Sequence, residues 1–431
     1  MKKRPYRATS VKDVDKQALA GELEQKEVTV GVDVAKEDFV AAVTNEDAVV
    51  VKTIKWKHPT QSREFIAMLS DLAKNGSSKV EVAMEPSGTY GAALQHLLWT
   101  EEIPVFMVSP KHVHDLMECY DGVPSAHDGK SAAVIGKLHQ DKKSRLWVPA
   151  SESMREQRTQ VKRMDLMEEH FSRLRNQLEA LLAIYWPEIG HLLELNSATL
   201  WALLETFGSP QEVVRRAEEA KQLVKCVGRS KVTAEKMEAV VESARTTTGV
   251  LPIPEEITTL QWIVGEMRRT AHMLKEEKKA VKELSEQEPM RQLREVVGKV
   301  TSVVLVTEGG DPRNFASASH YVKVLGLNLK THQSGKKQGR LAITKRGSGM
   351  ARKYLYLAVL RFIQKDAVAK AWYEKKVARD GGRKMKALVA LMRKLAKALF
   401  WVARGSVFDS SKLFNTKTLF KDRHRRVAVP A

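Results

Sequence analysis

Three acids and one serine are the residues of this 431-residue chain whose types and spacing suit phosphodiester chemistry. Asp33 closes the run Val30-Gly31-Val32-Asp33-Val34-Ala35-Lys36, and Glu85 closes Val82-Ala83-Met84-Glu85-Pro86-Ser87-Gly88. Two carboxylates emerging from neighbouring strand ends can share one cation. Magnesium, a hard ion that takes oxygen ligands together with water and substrate phosphate, suits such a pair. Asp128, near the start of a helix beginning about Lys130, is a third candidate ligand. Each acid also has an ordinary role open to it, Asp33 closing a turn and Asp128 capping a helix. The serine is Ser334, in Gln333-Ser334-Gly335-Lys336-Lys337-Gln338-Gly339-Arg340. A serine hydroxyl attacks phosphorus when something accepts its proton and cations stabilise the developing charge. Lys336, Lys337, Arg340, Lys345 and Arg346 supply cations, and His332 is a candidate base. The alternative is a Ser-Gly turn whose lysines only hold phosphates.

The elements that must position these residues follow from periodicity. β-Rich runs at Val28 to Val34, Phe39 to Thr44 and Val49 to Ile54 are separated by short polar connections. A helix over Gln61 to Lys74, a strand over Lys79 to Met84, a helix over Gly91 to Glu101 and a strand over Pro104 to Val108 come next. Helices around Lys111 to Tyr120 and Lys130 to His139 complete the set. The order β-β-β-α-β-α-β-α predicts an α/β, RNase-H-like domain over 27–150, after an N-terminal extension of 1–26. In such a sheet the Asp33 and Glu85 strands are neighbours.

From about Ser151 the chain turns to helix formers. Met164, Met167, Phe171, Leu174, Leu178, Leu181 and Tyr185 fall at steps of three and four and predict a coiled-coil seam. A second seam runs through Leu260, Ile263, Met267, Leu274, Val281 and Leu284, interrupted by Thr270 and Glu277. The two helices pair either within one chain or between two, and the spacing leaves both open. They span 151–290 around a helical insert of about 186–254. The stretch 291–405 opens with a small apolar helix pair around Val296 to Val306 and carries the serine loop, Gln333 to Gly349, into a mainly α, basic region. A basic tail, 406–431, closes the chain.

Charge points to the partner. The whole chain carries +20, and residues 341–431 alone hold 23 Lys and Arg against 5 Asp and Glu, an excess of +18. So single-signed a surplus, interleaved with Trp372, Tyr373, Phe400 and Trp401, is expected of a surface that neutralises backbone phosphates. No uncharged apolar run approaches the roughly 18 to 20 residues of a membrane span. The basic start, Met1 to Arg7, is followed by no apolar core of a secretory signal, so the expectation is a cytoplasmic, nucleoid-associated protein of a prokaryote. Cys119 and Cys226 lie far apart without metal-ligand spacing, which argues against disulfides and structural zinc.

The Gly31-Val32-Asp33-Val34-Ala35-Lys36 strand, the Met84-Glu85-Pro86-Ser87-Gly88-Thr89-Tyr90 turn and Ser334-Gly335 followed by Ile343-Thr344-Lys345-Arg346-Gly347 together resemble the insertion-sequence one-ten family of transposases, which includes pilin-inverting and bridge-RNA-guided recombinases. The resemblance covers about 28 to 405. It implies a RuvC-like domain with four acids, a coiled coil, and a C-terminal domain whose serine links covalently to DNA. On this chain Asp33, Glu85 and Asp128 match the first three acids and metal ligands, and Ser334 matches the nucleophile. The implied partners are DNA at element ends and target, a structured guide RNA, and further copies of the chain in a dimer or tetramer.

Two departures stand out. Where the family reads Lys-Thr-Asp-x-x-Asp-Ala, this chain reads Ala126-His127-Asp128-Gly129-Lys130-Ser131-Ala132, so a serine occupies the fourth acid's place. A neutral hydroxyl holds magnesium more weakly than a carboxylate, and impaired metal binding or strand cleavage is the expected consequence. The family's helix-hairpin-helix-like turn is reduced to Val297-Gly298-Lys299-Val300.

The leading expectation is a magnesium-dependent DNA transposase or site-specific recombinase that cuts and rejoins through Ser334. A metal-dependent junction-type nuclease is the second reading, leaving free ends and no covalent protein. A catalytically impaired nucleic-acid-binding protein is the third, with salt-sensitive binding and no cleavage.

Overall fold

A computed structural model describes residues 6–74, 77, 79–86, 88–120, 122–330, 333–334, 337–339 and 341–415. The chain packs as two units, Met1–Ala150 and Ser151–Ala431.

The first unit is a seven-stranded mixed sheet carrying helices on both faces. Its elements are β1 (Thr9–Ser10), α1 (Lys16–Glu22), β2 (Glu27–Asp33), β3 (Asp38–Thr44), β4 (Val50–Lys57), α2 (Ser62–Lys74), β5 (Lys79–Met84), α3 (Ala92–Thr100), β6 (Val105–Val108), α4 (Pro110–Leu116), α5 (Asp128–Gln140) and β7 (Ser144–Leu146). The strand order is β1-β4-β3-β2-β5-β6-β7. Strands β2, β5 and β6 run parallel, and β3 pairs antiparallel with both β2 and β4. This is the mixed α/β sheet expected from the element order. β1, α1 and β7 have no counterpart in the sequence reading; two or three strand residues show no alternation to detect.

Side-chain period two decides what each face of β2 meets. Val28, Val30 and Val32 enter a core with Phe65 and Leu69 of α2 and Leu94 and Leu98 of α3. Gly31 and Asp33 turn to the other face, which α5 covers. On the same side Ala83 of β5 packs with Val134, Ile135 and Leu138 of α5, and Val40 and Ala42 of β3 pack with Ala132 and Ala133. A sheet buried on both faces needs near-continuous apolar strands, which is why β2 and β3 read as runs.

In the second unit α6 (Glu152–Tyr185) is followed by the short helices α7 (Ile189–Leu192), α8 (Ala198–Phe207), α9 (Pro210–Arg215), α10 (Ala217–Gly228) and α11 (Ala234–Arg245), then by α12 (Pro254–Leu284). Helices α6 and α12 pack side by side within one chain. Val161, Met164, Leu174, Leu178 and Leu182 of α6 and Leu260, Ile263, Met267, Thr270 and Val281 of α12 are buried. Thr270 therefore belongs to the buried set. The charge at Glu277 is met by Arg163, whose Nε and Nη2 donate to it at 2.8 Å. Leu182 is fully inside while Leu181 is only partly so, a one-residue drift expected when a 3.6-residue helix is read as strict heptads. The short helices pack on the end of this helix pair, where Trp186, Leu200, Leu203 and Phe207 share one core with Leu178 and Leu182 of α6 and Leu260 and Ile263 of α12.

The chain continues through α13 (Met290–Val297), α14 (Lys299–Gly309), α15 (Ala318–Val324), β8 (Leu329–Lys330), β9 (Gln333–Ser334), β10 (Lys337–Gln338), β11 (Ala342–Ile343), α16 (Gly349–Lys365), α17 (Ala367–Arg379) and α18 (Lys384–Val402). Val303, Leu305, Tyr321, Leu355, Leu391 and Leu399 form its core. Gly298, at φ +85°, makes the turn between α13 and α14, and Arg361 holds it by donating to the Val297 carbonyl at 3.1 Å. Among the described residues no helix is long and apolar enough to cross a membrane. Cys119 and Cys226 are free and exposed.

Candidate functional site

The acid site is assembled from two strand ends and one helix start. Val32 pairs with Met84 across β2 and β5, so Asp33 and the following Glu85 stand side by side at the carboxyl ends of parallel strands. Helix α5 crosses the face that carries Asp33 and brings its first residue, Asp128, toward the pair. Its seating is set by backbone. A Cβ on Gly31 would lie 2.1 Å from the Ala132 carbonyl oxygen and 2.4 Å from the Gly136 nitrogen, so only glycine lets the helix lie this close.

Electrostatics report the crowding. The Asp33 carboxyl is pushed up to about 6, first by burial, then by the charges of Asp128 and Glu85. The Val34 amide and the Ser131 hydroxyl donate to it and pull the other way. Burial also raises Glu85 above the ordinary carboxylate range. Ser131 thus touches Asp33 directly. Asp128 does not cap α5: the His127 ring accepts the Lys130 amide at 3.2 Å, which leaves the Asp128 side chain outside the cap.

Lys130 is buried and donates its Nζ to the Val123 carbonyl at 2.5 Å. Neither that burial nor the Ser131–Asp33 bond was read from sequence. The usable signal was the run of small residues Gly129, Ala132, Ala133 and Gly136, which marks a helix face built for close approach.

Among the described residues no group of three or more His, Cys, Asp or Glu forms a ready-made cage for a metal ion. The donors nevertheless fit magnesium, which is usually held by one or two carboxylates completed by water and substrate phosphate. Asp33 and Glu85 offer that pair, and a bound cation would offset both the burial and the acid–acid repulsion that raise Asp33.

The serine belongs to the second unit. Between α15 and α16 the chain forms two short antiparallel ladders, β8 with β11 (Lys330 opposite Ala342) and β9 with β10. Ser334 pairs with Lys337 across the β9–β10 ladder. The expected open loop is therefore a hairpin at its tip. His332, Gly335, Lys336 and Arg340 lie outside the described residues, as do Ser87 and the tail from 416, and of the Ser334 and Lys337 side chains nothing is described.

The hairpin's base is firmly held. The Thr344 amide donates to the Asn328 carbonyl at 2.9 Å and the Lys345 amide to that of Gly326 at 3.0 Å. Gly347, at φ +143°, lies so near the Val324 carbonyl that a Cβ there would come within 2.0 Å. Arg352 clamps both sides, donating to the carbonyls of Leu325 at 3.2 Å and Gly347 at 2.9 Å. Ser348 caps α16 and donates to Glu308 at 3.0 Å. Lys345 and Arg346 are exposed beside this base. Arg352 and Glu308 were missed in the sequence because each acts through a partner remote in the chain.

Residues 30–187 match the family described as a DEDD-type IS110 transposase, and residues 294–374 match the family described as Transposase IS116/IS110/IS902. No curated protein matches the chain.

Proposed function

The chain belongs to the IS116/IS110/IS902 transposase family, and from that premise we propose that it recombines DNA through two chemically distinct sites, a magnesium-binding acid site at Asp33, Glu85 and Asp128 and a nucleophile at Ser334. The observation that carries the acid half is Asp33 itself, whose carboxyl is pushed up to about 6 by burial and then by the charges of Asp128 and Glu85 beside it. Strongly perturbed carboxylates at strand ends are the usual mark of a site rather than of a scaffold. Magnesium, when bound there, supplies positive charge to phosphate oxygens.

The chain's own residues do the rest. Asp33 and Glu85, at the carboxyl ends of two central strands, would hold the cation against which a DNA phosphate is oriented. Ser131 keeps the Asp33 carboxylate in place with a hydroxyl where a fourth acid would bring a further negative charge. At the other site the Ser334 Oγ forms a bond to phosphorus while the bond to the leaving strand's oxygen breaks, and that oxygen departs as a hydroxyl with the proton. Rejoining reverses the step with an incoming strand's hydroxyl. Lys345 and Arg346, with Lys336, Lys337 and Arg340, stabilise the charge on the phosphoryl oxygens.

The test is a covalent adduct between protein and labelled DNA. Its formation by the wild type and its loss in Ser334→Ala supports the proposal; an adduct that persists in Ser334→Ala removes that serine. Free ends without any adduct point to a metal-dependent nuclease instead, and salt-sensitive binding without cleavage to a binding protein. Copurifying structured RNA, required for recombination, would establish guidance. Cross-linked dimers or tetramers would establish assembly.

A further inference from the structure

The C-terminal basic region combines cations and aromatics, but the fold sorts them. Phe400 is buried in the core, Trp372 leans on Phe414 at 5.3 Å, and Trp401 alone of that set is turned outward, 56% exposed. It stands beside a groove of about 430 Å³ between α18 and the segment Ser406 to Leu413, within the range of small-ligand sites.

The groove has an apolar floor and a cationic rim. Trp401, Val407 and Phe408 form the apolar part, with Trp401 and Val407 both open to solvent. Lys394, Lys397 and Lys412 form the rim. Lys394 is fixed: it donates to the Leu413 carbonyl at 2.6 Å and lies over the rings of Trp372 and Phe414. Lys397 and Lys412 are exposed, and among the described residues neither is in an ion pair. The one acid lining the groove, Asp409, is committed to the Ser411 amide at 2.9 Å and hydroxyl at 2.7 Å.

We infer that this groove binds one unpaired nucleotide of a single-stranded nucleic acid, its base stacked on Trp401 and its phosphates between Lys397 and Lys412. Every base presents a face to an indole, whereas a base inside a duplex keeps both faces covered, so the groove selects single strands. The chain's own last residues are the competing occupant, since Leu419 and Phe420 follow closely. They arrive with Lys417, Lys421, Arg423, Arg425 and Arg426, and the rim repels them. The inference rests on the nucleic-acid role of this unit but not on Ser334.

The experiment is fluorescence anisotropy of the full-length protein with a mixed-sequence single-stranded oligonucleotide and with a duplex of equal length. Trp401→Ala should weaken single-strand binding about tenfold and leave duplex binding unchanged, while Trp401→Phe should keep most of the affinity. Lys397→Ala with Lys412→Ala should reduce the salt slope of single-strand binding by roughly 1. Unchanged single-strand affinity in Trp401→Ala, or equal loss on both polymers, would overturn the groove. So would Leu419→Ala with Phe420→Ala erasing the Trp401 dependence, because the tail would then be the occupant. Failure of the Ser334 adduct would sink the recombinase reading and leave this binding difference standing, so the two failures are distinguishable.

Discussion

The acid site and the serine hairpin hold their candidate chemistry in opposite ways. Asp33, Glu85 and Asp128 hang from long, buried elements whose spacing is set by backbone contact at Gly31. Ser334 sits at the tip of two-residue ladders, and only the hairpin's base is clamped. A metal site gains from rigidity, because donors must stand at fixed distances from one ion. A nucleophile needs reach more than enclosure, and a hairpin rising from a clamped base suits the proposed one. The comparison teaches that the two halves should break differently: the acid half through distant packing, the serine half through its own atom or its base.

The largest effect is expected at the tip. Ser334→Ala should lower strand exchange by roughly 10³-fold or more without moving Tm; exchange above a tenth of wild type would remove the contrast. Asp33→Asn should cost roughly 10- to 100-fold in metal affinity, measured by calorimetry, while leaving Tm unchanged or raised because a crowded charge is gone. A drop in Tm would mean that Asp33 serves mainly to hold the fold.

Gly31→Ala sharpens the comparison from the packing side. Nothing flexible can move aside there, so the added methyl should destabilise the first unit by about 3 kcal/mol and lower metal affinity, although it removes no donor. Calorimetric unfolding checks both. Ser131→Asp should tighten metal binding several-fold and, by adding a charge beside Asp33, destabilise the metal-free protein by about 1 kcal/mol. Unchanged metal affinity would place Ser131 outside the ligand set. The smallest effect belongs to Arg163→Ala: Arg163 is itself half exposed, and although its partner Glu277 is mostly covered, loss of such an ion pair costs about 1 kcal/mol.

What the sequence made legible follows the same division. Strands β2, β3 and β5 were readable to within a residue because alternation and continuous apolar runs persist over six or seven positions. The adjacency of Asp33 and Glu85 followed from strand order alone. The contact of Ser131 with Asp33 did not, because it joins residues 98 positions apart through the helix seating at Gly31. The serine hairpin was read as a loop since its ladders are too short to leave a period. In the basic region, composition announced aromatics among cations but not which of them face water; Phe400 and Trp401 are neighbours in sequence and opposite in burial.

The contact between Gly31 and Ala132 has a further consequence. Because peptide groups rather than side chains set how far α5 stands from β2, the mould of the acid site is separate from its contents. A change of side chain at 131 therefore alters the charge beside Asp33 while Gly31 still sets the backbone seat of α5, and with it the place of Asp128.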